Sequence, residues 1–110
     1  MSNQIDNILA GFKLLEAIFT MPPIEERRVD LTEANGLIIS TVQVFDIPGI
    51  EYETAIMDKT NEVYTVERYV TVEEAKVGHQ RWIGNSKEMK TIVFLGYPGV
   101  TNDREIVLKR

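Results

Sequence analysis

From Asn3 to Thr20 apolar residues recur at three- and four-residue spacing, with Ile5, Ile8, Leu9, Phe12, Leu15, Ile18 and Phe19 on one stripe. The spacing predicts a helix over 3–20. Ser2 or Asn3 can cap its start, and Asp6 sits in the first turn, where the helix dipole favours a carboxylate. Gly11 weakens the interior by about 1 kcal/mol relative to Ala. Pro22-Pro23 ends the helix, because neither ring nitrogen can donate and Met21 is pushed toward extended backbone. Such a stripe either packs on the domain's own sheet or docks on another subunit.

Beyond the prolines the pattern changes. Arg27 to Leu31 and Leu37 to Phe45 read as two strands joined at Asn35-Gly36, the dipeptide best suited to the positive φ angles of a type I′ turn. The second run is rich in β-branched and aromatic residues and is apolar on both faces, which predicts a central strand covered on two sides. Ile47-Pro48-Gly49 interrupts it. Glu51 to Met57 and Val63 to Val70 form the next strand pair around Asp58-Lys59-Thr60-Asn61, with Tyr52 and Ile56 on one face and Glu53, Ala55 and Met57 on the other.

Thr71 and Glu74 then make a Thr-x-x-Glu capping box, each expected to satisfy an orphan amide of a helix start. Val72, Ala75, His79, Trp82 and Ile83 line one face of that amphipathic helix, near 72–84, and Gly84-Asn85 supplies a left-handed stop. Thr91 to Leu95 and Glu105 to Leu108 are short strands separated by a Tyr97-Pro98-Gly99 turn. Hairpin-length links favour an antiparallel sheet of about five or six strands with helices on one face, an α+β fold in a single domain over 1–110.

Composition narrows the chemistry. The 44% hydrophobic and 26% charged fractions are those of an ordinary globular chain. There is no cysteine, which excludes disulfides and thiolate sites, and one histidine, which excludes a His-rich metal centre. No run approaches the roughly 20 apolar residues of a membrane span, and the N-terminus lacks a signal-peptide pattern. No membrane partner is expected.

The net charge of −5 is unevenly spread. Asp46, Glu51, Glu53, Asp58, Glu62, Glu67, Glu73 and Glu74 face only Lys59 and Arg68 in the middle of the chain. Lys76, Arg81, Lys87, Lys90, Arg104, Lys109 and Arg110 dominate the end. Segregated charge of this kind suits an oriented contact between protomers. A nucleic-acid partner, which calls for a basic excess, is not expected.

His79 is the obvious acid–base candidate, with Glu51, Glu53, Glu67, Glu73 or Glu74 as possible partner acids. Its place beside Trp82 on the apolar helix face fits a satisfied, half-buried histidine better. Neither a nucleophile elbow nor a glycine-rich phosphate loop is present. No catalytic residue, cofactor or metal is therefore expected. Thr71, Glu74, His79 and Trp82 stand as structural motif residues, and Ile5, Ile8, Phe12, Leu15 and Phe19 as interaction candidates.

Tyr52-Glu53-Thr54, followed by Arg68-Tyr69-Val70-Thr71-Val72-Glu73-Glu74-Ala75-Lys76-Val77-Gly78-His79, resembles small uncharacterised proteins of tailed phages of Gram-positive bacteria. These are encoded in the structural gene region, near portal and capsid genes. The likeness covers about a third of the chain and leaves out the segment before Pro22 and the tail after Gly84. It implies a non-enzymatic virion or assembly protein, in the host cytoplasm or the virion, with homo-oligomer or phage structural partners. The alternative is a phage-encoded binding protein that sequesters a host defence factor or small signalling molecule.

Overall fold

The computed structural model describes residues 23–99 and 102–110; the expected helix over 3–20, with Ile5, Ile8, Phe12, Leu15 and Phe19, lies outside the described residues. A short helix α1 (Ile24–Arg27) leads into β1 (Arg28–Ala34), β2 (Leu37–Gln43), β3 (Tyr52–Met57) and β4 (Val63–Tyr69). Helix α2 (Val72–Asn85) follows, and the chain closes with β5 (Thr91–Phe94) and β6 (Arg104–Val107). The first four strands form an antiparallel sheet in chain order, while β5 and β6 pair only with each other. The α+β architecture and its antiparallel pairing stand as expected. The strands divide into two sheets rather than one, and α1 takes in Arg27, which the pattern gave to the first strand.

Local chemistry explains the turns. Asn35 and Gly36 both take positive φ, at 53° and 81°, as a type I′ hairpin requires, and β1 pairs with β2 immediately beyond them. In the β3–β4 turn the buried Asp58 carboxylate accepts from the Thr60 amide and hydroxyl and from the Lys109 amide. Burial alone would raise the Asp58 carboxyl, but these donors hold it below its ordinary range. One side chain thereby ties the turn to the C-terminal tail.

Helix α2 begins where the capping residues predict. The Thr71 hydroxyl accepts from the Glu74 amide at 3.2 Å. The reciprocal half differs from expectation: the Glu74 carboxylate accepts from the Thr71 hydroxyl at 3.0 Å instead of reaching an orphan amide. The end also differs. Gly84 and Asn85 remain helical, and Ser86, at φ −61° and ψ −33°, closes the helix. The buried Ser86 hydroxyl donates to the Ile83 carbonyl and accepts from the Asn35 amide group at 2.8 Å. A side chain thus does the work assigned to a left-handed glycine, and pins the helix to the first hairpin.

The core lies between α2 and one sheet face. Leu37, Ile39, Ile56 and Val66 are buried there, and Ile92 and Leu108 extend the cluster to the small hairpin. That hairpin sits against β4 through the Leu95 amide on the Thr65 carbonyl and an edge-on contact of Tyr64 with Phe94. The other face of the large sheet has no comparable cover among the described residues. β2 is central, as its pattern predicts, and among the described residues only its face toward α2 is covered.

Replacing Thr71 with Ala is expected to destabilise the domain by roughly 0.5–2 kcal/mol, through loss of the amide acceptor. A shift in the midpoint of urea denaturation at constant slope measures it.

Candidate functional site

The strand period places polar side chains from all four strands under α2. Asp30, Thr32 and Ala34 of β1 align with Thr41, Ile39 and Leu37 of β2, Thr41 lies opposite Thr54, and Thr54 opposite Glu67. His79 drops from the helix onto this row. Its Nε2 lies 3.0 Å from Thr32 Oγ1 and its Nδ1 2.7 Å from Thr41 Oγ1. Thr41 Oγ1 meets Thr54 Oγ1 at 2.5 Å, Thr54 meets the Tyr69 hydroxyl at 2.9 Å, and Tyr69 donates to Glu67 Oε1 at 2.8 Å. The same carboxylate oxygen accepts from Trp82 Nε1 at 2.8 Å and pairs with Arg81.

Donor accounting gives this seam a direction. A carboxylate only accepts and a hydroxyl has one proton to donate. Tyr69 spends its proton on Glu67, so Thr54 donates to Tyr69 and Thr41 donates to Thr54. The proton at Thr41 then comes from His79 Nδ1. Burial lowers the His79 pKa, so the imidazole is neutral with its proton on Nδ1, Nε2 accepts from Thr32, and the chain of hydroxyls points from β1 to the Glu67 charge.

At His79 burial outweighs a smaller upward pull from Asp30, whose Oδ2 is 3.6 Å from Nε2. Burial, together with the Glu67 charge, pushes the Tyr69 hydroxyl up to about 12, so it stays a donor throughout the neutral range. The carboxylate nearest His79 is Asp30, which is none of the partner acids expected from sequence. Glu67 reaches the histidine only through three intervening hydroxyls.

Gly78 makes the approach possible. A Cβ at this position would overlap the Tyr69 hydroxyl and ring. Gly78, Ala75 and His79 form the buried strip of α2, and only small residues there let the helix come close enough for the imidazole to reach the sheet.

Of the motif residues, His79 and Trp82 belong to the seam, whereas Thr71 and Glu74 stay at the exposed helix start. Thr32, Thr41, Thr54, Tyr69 and Gly78 were not legible as members of a site, whereas Glu67, one of the expected partner acids, joins it at a distance from His79. For Thr41 and Thr54 burial alone was legible: Thr41 follows Leu37 and Ile39 at period two, and Thr54 precedes Ile56, so both threonines fall on the buried face. At the Glu67 end the seam opens on a cleft of about 370 Å³ lined by Glu67, Tyr69, Glu73, Glu74, Val77 and Arg81. Among the described residues no group of His, Cys, Asp and Glu is arranged to hold a metal ion, and no helix is long and apolar enough to cross a membrane.

Two outcomes are expected. Tyr69→Phe strands the Thr54 proton and removes a donor from Glu67, so stability should fall by roughly 1–3 kcal/mol in denaturant titration. For His79 the folded pKa lies below the ordinary 6.5, so the unfolded chain binds a proton that the folded one refuses. Stability from this group is complete above 6.5 and declines as pH falls through it. His79→Gln should flatten that limb of the stability–pH curve while lowering its plateau.

No known protein family matches the sequence, and neither a curated protein nor a solved structure does.

Proposed function

We propose that this protein is a non-enzymatic component of a tailed-phage particle or of its assembly, working through protein–protein contacts. The observation that carries the reading is a polarity of charge along the domain. In the antiparallel meander the β1–β2 and β3–β4 turns share one end of the sheet, and α2 finishes there, bonded to Asn35 through Ser86. That end gathers Lys59, Lys87, Lys90, Lys109 and Arg110 against Glu33, Asp58, Glu62 and Glu88, with the Arg110 guanidinium on the Asn35 carbonyl and the Asp58 carboxylate spent on Thr60 and the Lys109 amide. The opposite end, where α2 begins, gathers Asp46, Glu51, Glu67, Glu73 and Glu74 against Arg27, Arg28 and Arg68, so each end keeps a small excess of one sign. Copies set head to tail bring opposite signs together, the heterologous geometry that closes into rings or extends into filaments.

The seam supports a role without catalysis. Both nitrogens of His79 are engaged, and the buried hydroxyls are spent on one another, so an acid–base step would begin by breaking the core. The phage context comes from the resemblance of β3, β4 and the start of α2. Sequestration of an anionic signalling molecule finds less support, because the cleft beside α2 presents Glu67, Glu73 and Glu74 against an Arg81 already paired with Glu67.

Sedimentation and particle mass spectrometry test the reading. Self-association, or binding to portal or capsid protein, is expected to weaken as salt rises from about 0.01 to about 1 M, where the screening length shrinks from about 30 to about 3 Å. Lys87→Glu combined with Lys90→Glu should weaken it at low salt, and the protein should appear in purified particles at stoichiometric copy number. A salt-independent monomer absent from particles contradicts the proposal.

A further inference from the structure

The sheet face turned away from α2 carries Leu31, Ile38, Val42, Ala55, Met57 and Val63, which with Ile24 of α1 border an apolar groove of about 330 Å³. Leu31, on edge strand β1, is 46% exposed and Val63, at the start of edge strand β4, 57% exposed, so apolar surface lies open at both margins of this face among the described residues. β2 alternates Leu37, Ile39 and Thr41 under the helix with Ile38, Ser40 and Val42 on this face. A strand apolar on both sides belongs to a sheet covered on both sides. Glu53, also at the groove, has its carboxyl raised by burial despite Arg68 at 3.7 Å.

We propose that residues 3–20 of the same chain lie as a helix across this face, making the domain a three-layer α/β/α sandwich. The described chain begins beside the groove: Pro23, extended at φ −53° and ψ 154°, precedes Ile24, which lines it. Met21 and Pro22 each precede a proline and so favour extended backbone as well. Three extended residues span about 9 Å, close to the roughly 10 Å between packed layers, so the connection lifts the chain by one layer. A helix over 3–20 is about 27 Å long against about 23 Å for a seven-residue strand such as β2, so the two are matched in length. Its stripe of Ile5, Ile8, Phe12, Leu15 and Phe19 is the apolar surface that the groove lacks. A short tether keeps that surface at an effective concentration near millimolar, which favours the chain's own stripe over a neighbour's.

Hydrogen exchange on the full chain tests this. Amides of residues 5–19 are expected to be protected to the same degree at every protein concentration. Ala55→Asp, which sets an unpaired charge in the groove, should cut their protection by about tenfold or more while α2 stays protected. Unprotected amides in the parent chain, protection that grows with concentration, or protection unchanged by Ala55→Asp would each overturn the proposal; the second would assign the face to a second copy. If Ala55→Asp also exposes α2, cysteine pairs decide. Phe12→Cys and Leu15→Cys are each combined with Ala55→Cys in a chain that has no cysteine of its own. A disulfide within monomers supports the proposal. Bridges only between chains, or in neither pair, refute it. These readouts are independent of salt-dependent assembly, so either proposal can fail alone.

Discussion

A single directed row of hydrogen bonds, from Thr32 through His79, Thr41, Thr54 and Tyr69 to Glu67, organises the described domain. It takes one group from each of β1, β2 and β3, two from β4 and one from the helix above. Hydroxyls and imidazoles buried in a low dielectric destabilise a fold unless every donor finds an acceptor. Here each hydroxyl between the ends accepts once and donates once, and the last proton falls on a carboxylate that also holds Trp82 and Arg81. The row closes only when all four strands are in register, since a one-residue slip would send a threonine to the opposite face. Its contribution is therefore at least as much to uniqueness as to stability.

The same row accounts for much of the run from Tyr52-Glu53-Thr54 to Gly78-His79. Thr54 and Tyr69 are two of its hydroxyls, His79 is its imidazole, and Gly78 is the residue without a side chain that lets the helix approach Tyr69. Thr71 and Glu74 start the helix that delivers the histidine. Glu53 and Arg68 pair on the other side of the sheet. A pattern containing Arg-Tyr, paired glutamates and Gly-His invites a catalytic reading, yet in this chain Arg68, Tyr69, Glu74 and His79 each have a partner within the fold. The polar groups of the row are consumed internally, and what is left for partners is the charge at the two ends.

Local signals were legible because their physics acts over a few residues. Asn35-Gly36 prescribed a hairpin through backbone sterics alone, Thr71-x-x-Glu74 prescribed a helix start through one hydroxyl, and period-two runs prescribed the strands. Charge segregation was also visible in the chain, although the meander and the antiparallel return of α2 were needed to convert it into two ends of one body. Tertiary contacts decided the rest. Thr32 meets His79 across 47 positions, so no window of sequence displays the seam, and Asp30 rather than a nearby glutamate became the histidine's closest acid. Asn35 and the buried Ser86 displaced Gly84 as the helix stop, because a side-chain donor and acceptor 51 positions apart satisfied the helix end once the hairpin had packed beside it. The sequence by itself determined which segments curl, extend and turn; only the packing of α2 on four registered strands decided which buried polar residues would bond to one another, since that depends on partners brought together from across the chain.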